Sequence, residues 1–291
     1  MRKLVRVGVK SDNITLDKST SGNPVISRNL DKIIEKYAEL SVQPYLHSLN
    51  YAYFYFYEDT SEYVQFIKDA EKLNLVMWEQ CKYILSEDEL ETTNFYQLKL
   101  ERVIEYGFYS LLRGNKYEGG CDWCKGGMIL KGKCRVPVRG IDKYDIFPLE
   151  PEIIVTRELK TLFEKEKISG VEFDSVVDSR NKKDVDNLFR LKVLNQLPEM
   201  HSKTLTESRI CRRCGKKYTE LNGNIVFSAE NLEGALDFNT TSERFFKEND
   251  LQKTGELNYE WAYIVVSKKV KFLMEQHCKG KNFYLVPVIT L

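Results

Sequence analysis

At three places in the chain, apolar residues recur three, six and seven positions after a hydroxyl residue. They are Leu30, Ile33 and Ile34 after Ser27; Leu159, Leu162 and Phe163 after Thr156; and Val270, Leu273 and Met274 after Ser267. The i, i+3, i+4 spacing puts each set on one helix face, and the hydroxyl falls where an N-cap belongs. A short apolar run precedes each hydroxyl. In the second and third copies a glycine (Gly170, Gly280) follows, then another apolar run, VEFDSVV or FYLVPVI. The pattern predicts a β-α-β unit used three times, with glycine as the left-handed helix C-cap. The copies lie too far apart for a solenoid.

The residue after each cap is basic: Arg28, Arg157 and Lys268. A cation there opposes the helix dipole, at about 0.3–1 kcal/mol. Either the long stem carries the charge away from the helix end, or these residues face a partner or an anion.

Elsewhere the period changes. YAYFYFY, 51 to 57, alternates as a strand does, with Ala52, Phe54 and Phe56 on one face and Tyr51, Tyr53, Tyr55 and Tyr57 on the other. Segments 61–73 and 94–113 read as helices, the second followed by Gly114. The fold class expected is α+β, with mixed β-sheets and repeated strand–helix–strand units.

Charge divides the chain further. The totals nearly cancel, 44 basic against 43 acidic residues, so no global field recruits nucleic acid or anionic lipid. Locally, residues 58–91 hold ten acidic and three basic residues, 116–143 three and seven, and 203–217 one and six. The expected division is an N-terminal α+β region with an acidic helical segment, 1–115, and an α+β domain with two CxxC pairs, 116–291. No apolar run reaches 18 residues, and Arg6 and Lys10 interrupt any leader-like start. A cytoplasmic protein with no membrane partner is expected.

Four of the seven cysteines form two pairs, CDWC at 121–124 and CRRCG at 211–215. Without an export signal these read as reduced thiols. A CxxC turn aims both thiolates at one point, and two such turns supply the four sulfurs a structural zinc takes. Eighty-six residues separate Cys124 from Cys211. Closing such a loop costs about 4 kcal/mol, against about 10–16 kcal/mol from structural zinc, so distance does not forbid a joint site. Three alternatives stand beside it: thioredoxin-like redox chemistry, a local site of Cys121, Cys124 and Cys134 with one outside ligand, and two unrelated pairs. Redox chemistry wants one pair at a helix N-terminus after a strand, a context neither pair has. The reading favoured is one zinc-ribbon-like Zn2+ site held by Cys121, Cys124, Cys211 and Cys214. Four thiolates leave no open position, so that zinc would be structural.

No catalytic pattern accompanies it. His47, His201 and His277 are scattered, and no GxGxxG, P-loop, GxSxG or HExxH motif occurs. An enzyme built from scattered residues leaves no local spacing, and a non-enzymatic role is expected.

CDWC and CRRCG, with EIIVTRELKTLFEKEKISGVEF and FRLKVLNQLP between them and RFFKENDL and AYIVVSKKVKFLMEQH after them, resemble the double-CXXCG motif proteins. These are bacterial immunity proteins of polymorphic toxin systems. The resemblance covers roughly residues 117–291; it departs at Lys125, where the motif has glycine, and the first 115 residues lie outside it. It implies a zinc-containing α+β protein that binds and neutralises a cognate toxin polypeptide. It carries the four cysteines over as metal ligands and assigns no toxin contact. Sectored charge suits such a partner, the tyrosine stripe offers anchors or else a covered sheet face, and the acidic stretch offers a nucleic-acid mimic or else a solvated helix face. The alternative function is a nucleic-acid-binding zinc ribbon, with Arg209, Arg212, Arg213, Lys216 and Lys217 at one knuckle and Lys131, Lys133, Arg135 and Arg139 after the other, and Trp123 to stack a base.

Overall fold

The alternation in YAYFYFY becomes a sheet with two unlike faces. In the computed structural model, which describes residues 1–10, 28–43, 45–48, 51–101, 115–124, 126–138, 143–149, 151–221, 223–247 and 259–291, the chain divides into two units. The first is Met1–Thr92 with Asn222–Asn224, and the second is Thr93–Leu221 with Ile225–Leu291. The division falls at Thr93 rather than near residue 115, for a reason that lies in the second unit's sheet.

The first unit runs β1 (Arg2–Lys10), α1 (Arg28–Tyr37), β2 (Leu46–Ser48), β3 (Tyr51–Tyr57), α2 (Ser61–Lys72), β4 (Val76–Ile84) and α3 (Glu87–Thr92). Its four strands form one sheet in the order β2-β3-β1-β4. Each neighbouring pair is antiparallel, so β3 and β4 run parallel on either side of β1. This is a split β-α-β arrangement. Val5, Val7 and Val9 join Ala52, Phe54 and Phe56 on the face covered by Leu30, Ile33 and Tyr37 of α1 and Phe66 and Ala70 of α2. Helix α2 starts as expected, with the Thr60 hydroxyl accepting from the Tyr63 N–H. The cap of α1 expected at Ser27 and the strand expected before it lie outside the described residues.

The second unit continues with β5 (Phe95–Leu100), β6 (Tyr117–Glu118), β7 (Ile129–Leu130), β8 (Cys134–Val136), β9 (Ile146–Leu149), β10 (Glu152–Thr156), α4 (Arg157–Lys165), β11 (Val171–Asp178), β12 (Asp184–Val193), β13 (Asn195–Gln196), β14 (Leu205–Ile210) and β15 (Lys217–Leu221). Then come β16 (Val226–Phe227), β17 (Phe238–Thr240), β18 (Phe245–Lys247), β19 (Tyr259–Trp261), β20 (Ile264–Ser267), α5 (Lys268–His277), β21 (Phe283–Pro287) and β22 (Ile289–Thr290). Two five-stranded sheets dominate, in the orders β8-β11-β12-β10-β9 and β13-β17-β20-β5-β21. One core holds α4 and α5 against both sheets, with Leu159, Phe163, Val270 and Met274 meeting Val155, Leu191, Leu98 and Val266.

The helix expected over 94–113 is corrected in its first part: Phe95–Leu100 is a strand, and residues 102–114 are not described. β5 pairs antiparallel with β20 on one side and β21 on the other. The sheet's need for a middle strand overrides the helical spacing, and Tyr96, Leu98 and Leu100 still reach the core by alternation. That pairing places β5 in the second unit.

Both β-α-β units of this half are therefore split as well, β10-α4-β11 around β12 and β20-α5-β21 around β5. Their caps are made alike. The Thr156 hydroxyl accepts from Leu159 N–H and donates to Asp145 (2.9 Å), while the Ser267 hydroxyl accepts from Val270 N–H and donates to Asp237 (2.7 Å). Each aspartate then reaches across to the other unit's helix exit. Asp145 accepts from Lys279 N–H at 2.6 Å, and Asp237 accepts from Ser169 N–H and hydroxyl at 2.9 Å each. The glycines follow these exits and do not cap the helices; the left-handed residue nearest the end of α4 is Lys167, at φ 53°. Gly170 has φ +83°, and a β-carbon on it would lie 2.2 Å from the Phe238 carbonyl oxygen. Gly280 has φ +65°, with the Lys143 carbonyl oxygen 2.5 Å from the same position. Glycine is there because two backbones pass too closely for a side chain.

Among the described residues, no helix is long and apolar enough to cross a membrane.

Candidate metal centre

Each cysteine pair sits in the turn of a short hairpin, CDWC between β6 and β7 and CRRC between β14 and β15. The turns close alike: Cys121 N–H donates to the Gly126 carbonyl at 3.0 Å and Cys211 N–H to the Lys216 carbonyl at 2.9 Å. Equal closure throws both thiols of each pair to the same side. The Asp122 carboxylate and the Arg213 guanidinium pair from one knuckle to the other.

The four sulfurs converge. Cys121 Sγ lies 3.9 Å from Cys211 Sγ and Cys124 Sγ 3.6 Å from Cys214 Sγ, and all four lie within 4.8 Å of one another. A tetrahedral ion with metal–sulfur bonds of about 2.3 Å sets its ligands about 3.8 Å apart. The donor set and its spacing therefore fit one tetrahedral thiolate-bound ion. Cys121, Cys124, Cys211 and Cys214 are brought together as expected. Cys134 is not among them; it lies in a separate apolar cluster with Val136, Ile154 and Val176, where burial pushes its thiol up to about 12. The local three-cysteine site is thereby corrected, because the β8 strand turns that thiol into the sheet's core.

The thiols are electrostatically unequal. Cys211 is pushed down to about 6 by the backbone N–H of Cys214, and Cys121 is lowered by that of Cys124. Burial pushes Cys124 up to about 12. Cys214 is also raised: the Lys216 N–H acts to lower it, but lost hydration and the Cys211 side chain outweigh that bond. The leading cysteine of each knuckle is shifted toward the thiolate and the trailing one away from it, so binding an ion would expel protons, above all from Cys124 and Cys214.

Around the sulfurs lies a shell that no local spacing announces. The buried Tyr218 on β15 places its hydroxyl 3.0 Å from Cys124 Sγ and 3.0 Å from Glu260 Oε2. Glu260, on β19, also pairs with Lys216 at 2.6 Å and Arg244 at 3.5 Å. A β-carbon at Gly126 would lie 2.3 Å from the Tyr218 hydroxyl and 2.5 Å from Glu260, so the small residue leaves room for this shell. Such partners orient thiolates and tune the ion they hold. Tyr218 has a faint signal in the alternation after CRRC; Glu260, 46 residues beyond Cys214, has none.

Glu260 and Arg244 also line a cleft of about 420 Å³ with Trp261, Glu152, Arg190 and Lys192. Its charges are matched internally: Arg190 with Glu152 at 2.5 Å and Lys192 with Asp174 at 2.9 Å. His277 ends α5 and His201 bonds through its backbone to Val226; the His47 side chain is not described.

No family model, no curated protein and no solved structure matches the chain.

Proposed function

We propose that the chain is a zinc-containing immunity protein that binds a cognate toxin polypeptide and neutralises it by stoichiometric burial of the toxin's active surface. The observation that carries the reading is the convergence of two knuckles, 86 residues apart in sequence, on four sulfurs at tetrahedral spacing. Zinc is the ion this all-thiolate set suits best, and four thiolates make it structural. It would tie the two hairpins of the second unit into one surface.

Neutralisation is supported by the resemblance of the knuckles and their flanking units to double-CXXCG immunity proteins, and by surfaces segregated in charge. Helix α3 carries Glu87, Asp88 and Glu89 in its first turn and buries no side chain. An exposed acidic helix of this kind speeds encounter with a basic partner and fixes its register. The test is co-expression with each toxin-like polypeptide encoded beside the gene. Protected growth and a one-to-one complex are expected; protection from none of them, with no complex, removes the reading.

The knuckles offer less to nucleic acid. Lys216 pairs with Glu260 at 2.6 Å, Lys131 with Glu118 at 2.8 Å and Lys133 with Asp184 at 2.5 Å, while Arg213 pairs with Asp122. Cations held by carboxylates of the same chain release fewer counterions from a phosphate backbone.

A further inference from the structure

In the first unit, α1 and α2 both lie on the valine and phenylalanine face of the sheet. The register fixes what stands on the other face. Tyr51, Tyr53, Tyr55 and Tyr57 of β3 lie opposite alternate residues of β1, and Trp78 of β4 lies opposite Gly8. The cations on that face are Arg2, Arg6, Lys10 and Lys82, and none of the β1, β3 or β4 positions facing that way is a carboxylate. Of the carboxylates nearby, Asp59, just past the end of β3, pairs with Arg2 at 2.9 Å, while Glu87, Asp88 and Glu89 lie on α3.

The rings and cations form a layered platform. The Arg6 guanidinium lies 3.8 Å over the Tyr53 ring and that of Arg2 3.7 Å over Tyr57. Arg6 also donates to Gln80 at 3.1 Å, and its Nε–H has no partner among the described residues. Trp78 lies over the Gly8 backbone: a β-carbon at Gly8 would fall 2.2 to 2.6 Å from three atoms of its indole. Tyr53 meets Trp78 edge-on at 5.6 Å and Tyr51 at 5.4 Å. Lys10 and Lys82 are exposed and Tyr51 is 38% exposed, while Tyr53, Tyr55, Tyr57 and Trp78 are half-buried.

We propose that this face binds single-stranded nucleic acid, its bases stacking on Trp78, the tyrosines and the Arg6 guanidinium plane and its phosphates running past Lys10 and Lys82. Unpaired bases offer a π-face to aromatic rings or a guanidinium plane, and the phosphates between them call for cations without carboxylates. Tyr, Trp and Arg also suit a polypeptide interface, but lysine is depleted there, so Lys10 and Lys82 are what favour a phosphate backbone over a polypeptide. The aromatic composition argues against a duplex, whose bases are already stacked on one another. The inference is independent of the toxin-neutralising reading and uses none of the knuckle residues.

The test uses the full chain and fluorescein-labelled oligo-dT and oligo-U of about 12 nucleotides, a length within the range of a single-strand site. Anisotropy at low salt should show binding that weakens with salt, with a log–log slope of about −0.7 per phosphate engaged. Trp78→Leu and Tyr53→Leu should each weaken it by about 5- to 100-fold. Lys82→Glu, at an exposed site that leaves the fold alone, should weaken it at low salt and flatten the slope. Trp78 emission should be quenched on binding, seen as the difference from Trp78→Phe. Failure of both oligonucleotides to bind overturns the proposal, as does binding that Lys82→Glu and Trp78→Leu leave unchanged in chains with wild-type melting curves. A toxin complex lost on these substitutions, with no oligonucleotide binding, would assign the face to a polypeptide and equally overturn it.

Discussion

Replacing Tyr218 by Phe removes one oxygen atom from the shell of the candidate metal centre. That oxygen lies 3.0 Å from Cys124 Sγ and 3.0 Å from Glu260 Oε2, on a residue that is 2% exposed. The hydroxyl has one proton for these two acceptors. Glu260 also has Lys216 at 2.6 Å and Arg244 at 3.5 Å, so with an ion bound and Cys124 a thiolate the loss falls on the sulfur. A hydrogen bond to a charged group is worth about 1.5–3 kcal/mol. Losing an outer-shell partner typically weakens metal binding about 10- to 100-fold, or about 1.4–2.7 kcal/mol, so the two magnitudes agree. Competition with a chromophoric chelator should therefore show zinc held 10- to 100-fold less tightly by Tyr218→Phe. The cobalt-substituted protein should keep its tetrahedral thiolate spectrum, because all four ligands remain. Unchanged affinity with an intact cobalt spectrum would refute the claim that this hydroxyl supports the Cys124 thiolate.

Asp237→Ala removes the acceptor for Ser169 N–H, the Ser169 hydroxyl and the Ser267 hydroxyl; about 3–5 kcal/mol of stability should go with it, read by urea denaturation. Burial raises the Asp237 pKa, but the Ser169 N–H and the Ser267 and Ser169 hydroxyls outweigh it, so the net shift is downward. The folded pKa then lies below the unfolded value of about 3.9, and the Asp237 contribution is present above that pH and lost as pH falls through the folded pKa. The melting-temperature gap between wild type and Asp237→Asn should accordingly narrow below about pH 4. Gly170→Ala forces a β-carbon to 2.2 Å from the Phe238 carbonyl oxygen at φ +83°, whereas at Gly132, φ +77°, nothing lies within 4 Å. The first should cost at least about 2 kcal/mol and the second about 1 kcal/mol by thermal denaturation; equal costs would show that backbone conformation alone requires Gly170.

Local period carried much of this architecture. The hydroxyl-led helices α4 and α5 begin at Thr156 and Ser267 as their spacing predicts, and YAYFYFY separates its rings by face as alternation requires. What local period could not show is which strand lies between two others. β12 enters between β10 and β11 from further along the chain, and β5 enters between β20 and β21 from about 165 residues before β20. Hence Phe95–Leu100 read as a helix, and Gly170 and Gly280 read as caps when their task is to let one half's backbone pass the other. The four sulfurs were legible because each pair carries its own spacing. Tyr218 and Glu260 were not, because a shell assembled from separate strands has no sequence interval of its own.

The most direct test of the metal centre at the heart of this account is native mass spectrometry of the full chain, purified without chelators. One zinc per chain is expected in the wild type, and none in the Cys211→Ser/Cys214→Ser variant. A metal-free wild-type chain with all four thiols reduced, or one with a Cys121–Cys124 disulfide, would contradict it.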